Sequence, residues 1–141
     1  MNVVIDTNVV ASAIFFGGQP RRLLELLLQR KLEAFVSPEI VEEYHETVQY
    51  LQNKYPAKKV VVPLTYIIAA CKMVKPTTQL HICRDPDDNK FIECALDTHC
   101  LCIVSGDKDL LLLKQVQGIQ MVTVAEFFQN IWHEQAADHP G

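Results

Sequence analysis

Short β-branched runs alternate along this chain with longer segments whose apolar residues recur at helical spacing. Val3-Val4-Ile5 is apolar throughout, the pattern of a strand buried on both faces, and it ends at Asp6. Asn8 to Phe16 predicts a short helix stopped by Gly17-Gly18, and Pro20 stands where a second helix would begin. That helix carries Leu23, Leu24, Leu27 and Leu28 on one face and leaves Arg21, Arg22, Glu25 and Arg30 for the other. Ala34-Phe35-Val36 is a second strand. Ser37 then supplies an N-cap and Pro38 a first-turn proline for a helix running to about Gln49 or Leu51.

The same rhythm continues through the second half. Lys58 to Val74 is an apolar-rich helical stretch, with Pro63 either kinking it or marking its start. From Asp88 to Thr98, Phe91, Ile92, Ala95 and Leu96 share one helical face, and Leu101 to Val104 follows as a strand. Asp107 to Gln115 predicts a helix and Ile119 to Val122 a last strand. Thr123-Val-Ala-Glu126 has the form of a capping box opening a final helix to about Trp132. Alternating β and α elements predict a parallel sheet with helices on both faces, in a single domain over residues 1–132, followed by a loose tail at 133–141.

Composition narrows the class. The chain has 141 residues, 49% hydrophobic and 21% charged, the size and balance of one globular domain. No apolar run reaches the roughly 18–20 residues needed to cross a bilayer, and the chain opens on a strand pattern instead of a basic-then-apolar leader, so a cytoplasmic protein without a membrane partner is expected. Its five cysteines are odd in number and scattered, which predicts reduced thiols. His99-Cys100-Leu101-Cys102 lacks a second ligand pair at zinc-finger spacing and fits a buried strand better than a zinc site. The formal charge of −4 is unlike a protein that holds nucleic acid by bulk electrostatics. The acids are concentrated, however: Asp85, Asp87, Asp88, Asp107 and Asp109 fall in two short stretches that bound divalent cations would partly neutralise.

In open parallel sheets ligands bind beyond the carboxyl ends of the strands, near the point where strand order reverses. Asp6 follows the first strand, and Asp107 follows Val104 after the small residues Ser105 and Gly106, so two carboxylates distant in sequence can meet at one edge. Asp88 starts its helix and Glu43 lies on the helix after the second strand, where either can project over that edge. Glu43 is flanked by Ile40, Val41, Tyr44 and Val48, an unusual setting for a solvated Glu, although Glu39, Glu42 and Glu46 compete for the role. Crowded carboxylates resist joint ionisation unless a cation compensates them, and all-oxygen ligation selects Mg²⁺ or Mn²⁺. Taken singly, Asp6, Asp88 and Asp107 each have an ordinary use as helix caps; their combination favours a metal-assisted phosphodiester hydrolase.

Four motifs in order, Val4-Ile5-Asp6-Thr7-Asn8-Val9-Val10, Ser37-Pro-Glu-Ile-Val-Glu-Glu43-Tyr, Arg84-Asp-Pro-Asp-Asp88-Asn-Lys-Phe and Val104-Ser-Gly-Asp107-Lys-Asp109-Leu, together resemble the PIN-domain family over about Met1 to Phe128. The likeness is greatest to the toxin components of bacterial type II toxin–antitoxin pairs. It implies a three-layer α/β/α sandwich and a metal-binding, catalytic quartet of Asp6, Glu43, Asp88 and Asp107. Asp109 would be a further acidic contributor, Asp85 or Asp87 close neighbours, and Asn8 and Ser105 polar supports. It also implies an endoribonuclease using Mg²⁺ or Mn²⁺ and leaving a 5′-phosphate and a 3′-hydroxyl, an antitoxin protein covering the acidic cleft, and a homodimer. Arg21, Arg22, Lys54, Lys58, Lys59, Lys72 and Lys75 are the cations available to guide phosphates, or else simply solvated helix faces. Two other readings stand beside this one: a non-catalytic PIN-like module that binds RNA or protein, and an aspartyl-nucleophile phosphatase. The phosphatase is disfavoured because Asn8 stands where such enzymes usually place a second Asp.

Overall fold

The computed structural model describes residues 1–133, so the expected tail at 133–141 lies outside the described residues except for His133. Strand β1 (Asn2–Ile5) forms where Val3, Val4 and Ile5 lose nearly all contact with solvent. It pairs in parallel with β2 (Glu33–Val36) on one side and β4 (Cys102–Val104) on the other, with Val3 opposite both Ala34 and Cys102. Strand β3 (Lys72–Met73) extends the sheet beyond β2, while β6 (Ile119–Val122) and the antiparallel β5 (Gln115–Val116) extend it beyond β4. The order β3-β2-β1-β4-β6-β5 therefore reverses between β1 and β4, and the crevice of this sheet must open there.

Helices α1 (Thr7–Phe15), α2 (Gly18–Leu28), α3 (Pro38–Lys54) and α4 (Leu64–Ala70) pack on one another. Helix α5 (Asn89–Asp97) lies directly on β1, β2 and β4, and the short α6 (Lys108–Leu111) meets β6. The last helix, α7 (Val124–Glu126), opens on the expected capping box between Thr123 and Glu126 and continues as a π-helical turn over Phe127–Ile131. Together these elements make an α/β/α sandwich around a mostly parallel sheet.

Two expected helices are corrected. The helix expected over Lys58 to Val74 is confined to Leu64–Ala70, because Pro63 caps its start and Lys72–Met73 turns into an edge strand paired with Phe35 and Val36. The helix expected over Asp107 to Gln115 ends at Leu111. Lys114 and Gln117 adopt φ of 61° and 49°, and these left-handed residues fold the segment into the β5–β6 hairpin.

Candidate active site

The Asp6 amide continues the β1–β4 ladder by donating to the Val104 carbonyl at 2.9 Å, and its side chain caps α1 by accepting from the Thr7 amide at 2.8 Å. The Ser105 hydroxyl, at the end of β4, donates to the other Asp6 oxygen at 2.8 Å and accepts the Asp107 amide at 2.9 Å. Ser105 therefore couples the two acids across the sheet reversal. Asp107 in turn caps α6 by accepting from the Asp109 amide at 3.0 Å.

Glu43 is brought in by α3. Tyr44, beside it, is buried and donates its hydroxyl to the Ile5 carbonyl at 2.5 Å, pinning α3 to the end of β1. The Thr7 hydroxyl donates to Glu43 Oε2, and Lys90 Nζ lies 2.8 Å from Glu43 Oε1 with little of its side chain exposed. Asp88 closes a 3-10 turn (Pro86–Asp88) at the start of α5 and is 8% exposed, yet its Oδ2 has no hydrogen-bond partner among the described residues. A buried carboxylate oxygen without a donor is costly, which makes it a natural acceptor for a cation or an ordered water.

Asp6, Glu43, Asp88 and Asp107 line one cleft of about 380 Å³, with Asn8, Glu46 and Asp87 among its other walls. Burial pushes the Asp6 carboxyl up from 3.8 to about 6; the Ser105 and Thr7 hydrogen bonds oppose that rise, and the negative Glu43 and Asp107 add to it. Asp88 is pushed up to about 7, first by burial, then by the neighbouring Asp107 carboxylate, with which it can associate only by keeping a proton, and by Asp85 and Asp6. Burial is the larger cause for both, and the crowding of negative groups adds to it, a combination that a bound cation would relieve.

The donor set fits a hard divalent cation such as Mg²⁺ or Mn²⁺: oxygen ligands only, one of them an unpartnered buried Oδ2. Among the described residues no three Asp, Glu, His or Cys side chains stand close enough to enclose an ion by themselves. Mg²⁺ usually keeps several waters and binds through one or two carboxylates, so an open cleft of this kind suits a hydrated ion better than a closed cage would.

Other expected residues fall elsewhere. Asp109 does not line the cleft; its carboxylate faces Arg84 at 4.0 Å, and its contribution is the backbone amide that holds Asp107. Ser105 works from beneath the acids, and Asn8 is exposed on the cleft wall. Arg21 caps the end of α1 through the Ala13 and Ile14 carbonyls, Lys72 pairs with Glu33, and Lys58 lies over the Phe16 ring. Sequence reading passed over Thr7, Tyr44 and Lys90. Lys90 sits inside the third motif, but nothing in that motif tells that its ammonium meets Glu43 on another helix. The cysteines among the described residues are free, and burial holds Cys71, Cys94 and Cys102 up to about 12, far from the reactive thiolate range.

Comparison with known proteins adds three findings. A family model described as "PIN domain" matches residues 2–109. An uncharacterized protein of Methanocaldococcus jannaschii is 36% identical over 121 residues, covering 81% of this chain and 76% of that protein. The PIN domain of T. brucei RRP44 superimposes with a TM-score of 0.46 at 11% identity, covering 90% of this chain and 78% of that one.

Proposed function

The chain belongs to the PIN-domain family, whose members are generally nucleases, and from that premise we propose that it is a metal-dependent endoribonuclease hydrolysing RNA phosphodiester bonds. The observation that carries the reading is the meeting of Asp6, Glu43, Asp88 and Asp107 on one cleft, with burial and then neighbouring charge pushing Asp6 up to about 6 and Asp88 up to about 7. A bound cation would offset both the burial and the crowding of these carboxylates.

A bound Mg²⁺ or Mn²⁺ supplies charge compensation, a polarised phosphate oxygen and a more acidic water. The chain's own groups do the positioning. Ser105 and the Thr7 amide fix both Asp6 oxygens, Ser105 and Asp109 fix Asp107, and Thr7 and Lys90 fix Glu43. Asp88 adds a carboxylate to the cleft wall, and its buried Oδ2, without a donor among the described residues, is an acceptor for an ordered water or a cation. Asn8 lies exposed on the wall, where its amide can reach a phosphate oxygen. Because both Asp6 oxygens already accept hydrogen bonds, Asp6 is better suited to support a cation than to attack phosphorus as the phosphatase reading requires.

Within this reading, the motif likeness to toxin components supports a role as the toxin of a type II toxin–antitoxin pair. The chain would then act in the cytoplasm as a homodimer, with an antitoxin segment covering the acidic cleft, and its products would carry a 5′-phosphate and a 3′-hydroxyl. The test incubates wild type and Asp6→Asn with structured and single-stranded RNAs in Mg²⁺, Mn²⁺ or chelator and reads the product ends. Metal-dependent cutting that disappears in Asp6→Asn is the expected result. No cutting, together with no metal binding by calorimetry, would put the non-catalytic binding module ahead.

A further inference from the structure

Between β3 and the 3-10 turn before α5, residues 75–82 form neither helix nor strand, so no ladder satisfies their amides. Side chains of α5 take several of them instead. Asn89, Glu93 and Asp97 stand four residues apart, in one row along the helix. Asn89 accepts the Ile82 and Cys83 amides at 3.3 and 3.0 Å, Glu93 accepts the Leu80 amide at 2.8 Å, and Asp97 accepts from Thr77 and Thr78. The two ends of the row differ in what lies beside them. Asn89 is buried and adjoins Asp88, whereas Asp97 is about 12 Å further along α5, at the end away from the cleft.

Asn89 closes a loop. The chain departs at Cys83, runs through Arg84 to Asp88 and reaches α5 at Asn89, whose carboxamide joins the two ends. Within the loop, Asp85 accepts the Asp87 amide through its side chain and the Asp88 amide through its carbonyl, both at 3.0 Å. Asp85, Asp87 and Asp88 all line the acidic cleft. Two donors converging on one Oδ1 also fix which way the carboxamide faces, since its NH₂ cannot accept.

The other three cleft acids are held at the carboxylate: Asp6 by Ser105 and the Thr7 amide, Glu43 by Thr7 and Lys90, and Asp107 by the Asp109 amide. Asp88 Oδ2 has no such donor among the described residues, so the backbone that carries it must set its place. Helix α5 holds that backbone on one side, and the loop clasped by Asn89 holds it on the other. We propose that Asn89 is a positioning residue of the acidic cleft: by clasping Ile82 and Cys83 it sets Asp88, with Asp85 and Asp87, toward the cation and the scissile phosphate. Asn89 does not itself line the cleft and acts through Asp88. The proposal rests on the nuclease reading above.

The test compares the full chain with Asn89→Ala, Asn89→Asp and Asp97→Ala, each checked for folding by circular dichroism. Asn89→Ser, whose hydroxyl is too short to reach both amides, replaces the alanine variant if that one does not fold. Three quantities are read: hydrogen exchange at the Ile82, Cys83, Asp87 and Asp88 amides in chelator, Mn²⁺ affinity by calorimetry, and kcat and KM on RNA with Mn²⁺. Asn89→Ala is expected to speed exchange at those amides and to lower Mn²⁺ affinity and kcat about 10–100-fold, with KM little changed. Asn89→Asp keeps an acceptor for both amides, so slow exchange should return and kcat should come within a few-fold of wild type. Asp97→Ala loses contacts of the same kind away from the cleft and should leave kcat and Mn²⁺ affinity unchanged. Wild-type kcat and Mn²⁺ affinity in Asn89→Ala would overturn the proposal while leaving the nuclease reading intact. Equal losses in Asn89→Ala and Asp97→Ala would do the same, by showing that the row supports the fold alone, as would an Asn89→Asp that regains slow exchange but not kcat. A wild type that neither binds Mg²⁺ or Mn²⁺ nor cuts RNA sinks the nuclease reading, and the role of Asn89 with it.

Discussion

Replacing Asp6 by Asn should stabilise the metal-free protein at neutral pH, although it removes a residue central to the site. Asp6 is 5% exposed, and burial raises its carboxyl from 3.8 to about 6. Because the folded value lies above the unfolded one, the native state binds more protons between them, and stability falls as pH rises from 3.8 through about 6. Above that window the whole penalty is present. At about 1.4 kcal/mol per pH unit it amounts to about 3 kcal/mol. An Asn at this position keeps an oxygen for the Thr7 amide and presents an NH₂ to the Ser105 hydroxyl, which now stands 2.8 Å from an Asp6 oxygen as a donor and must become an acceptor. That exchange loses about 1 kcal/mol, leaving a net gain of roughly 2 kcal/mol.

Urea unfolding in chelator at about pH 7.5 and about pH 4 separates the contributions. The variant is expected to be more stable at the higher pH, with most of the gap closing at the lower pH, where the native carboxyl is protonated and the unfolded one only partly ionised. Added Mg²⁺ or Mn²⁺ should then stabilise wild type much more than the variant, since only wild type offers the charged ligand. A variant less stable than wild type at pH 7.5 in chelator, or a gap that does not change with pH, would refute the claim that this site stores electrostatic strain for a cation.

Two further outcomes follow from the same contacts. Ser105→Ala removes the donor that lowers the Asp6 carboxyl and the acceptor of the Asp107 amide, so cutting should fall about 10–100-fold and the acidic limb of its pH profile should move upward; an unmoved limb would show that Ser105 does not act through Asp6. Lys90→Met removes the ammonium 2.8 Å from Glu43, so calorimetry should find Mn²⁺ bound more tightly while RNA is cut more slowly; weaker Mn²⁺ binding would mean that Lys90 organises the acids and does not compete with the ion.

The parts of this fold that sequence reading recovered are those where burial dictates composition. Val3-Val4-Ile5, Ala34-Phe35-Val36 and Cys102-Ile103-Val104 are central strands covered by helices, so both of their faces must be apolar and the runs announce themselves. Strands β3 and β5 announced nothing. Lys72 and Met73 are exposed at the sheet edge, Gln115 and Val116 form the opposite edge, and each strand is two residues long, too short for any alternation to show. The helices that were overextended failed for a related reason. Leu110 and Leu111 belong to α6, but Leu113 and Val116 beyond it pack on the core from the turn and hairpin that left-handed Lys114 and Gln117 make, and apolar spacing alone does not distinguish the two.

The acids were legible because each stands at a structural landmark: Asp6 and Asp107 after the two strands that flank the sheet reversal, Asp88 at a helix start, Glu43 among core residues of α3. Their supports were not, because a support is defined by a tertiary partner. Thr7 looks like any first-turn residue until its hydroxyl meets Glu43 from a helix that begins at Pro38, and Tyr44 looks like core until its hydroxyl finds the Ile5 carbonyl. Lys90 is the clearest case. From sequence it is one more cation on an amphipathic helix, yet α5 and α3 carry it and Glu43 to the same place, where it is paired with one of the acids that line the cleft. A chain of net charge −4 therefore still sets a cation against its acidic cleft, a placement that bulk charge does not reveal.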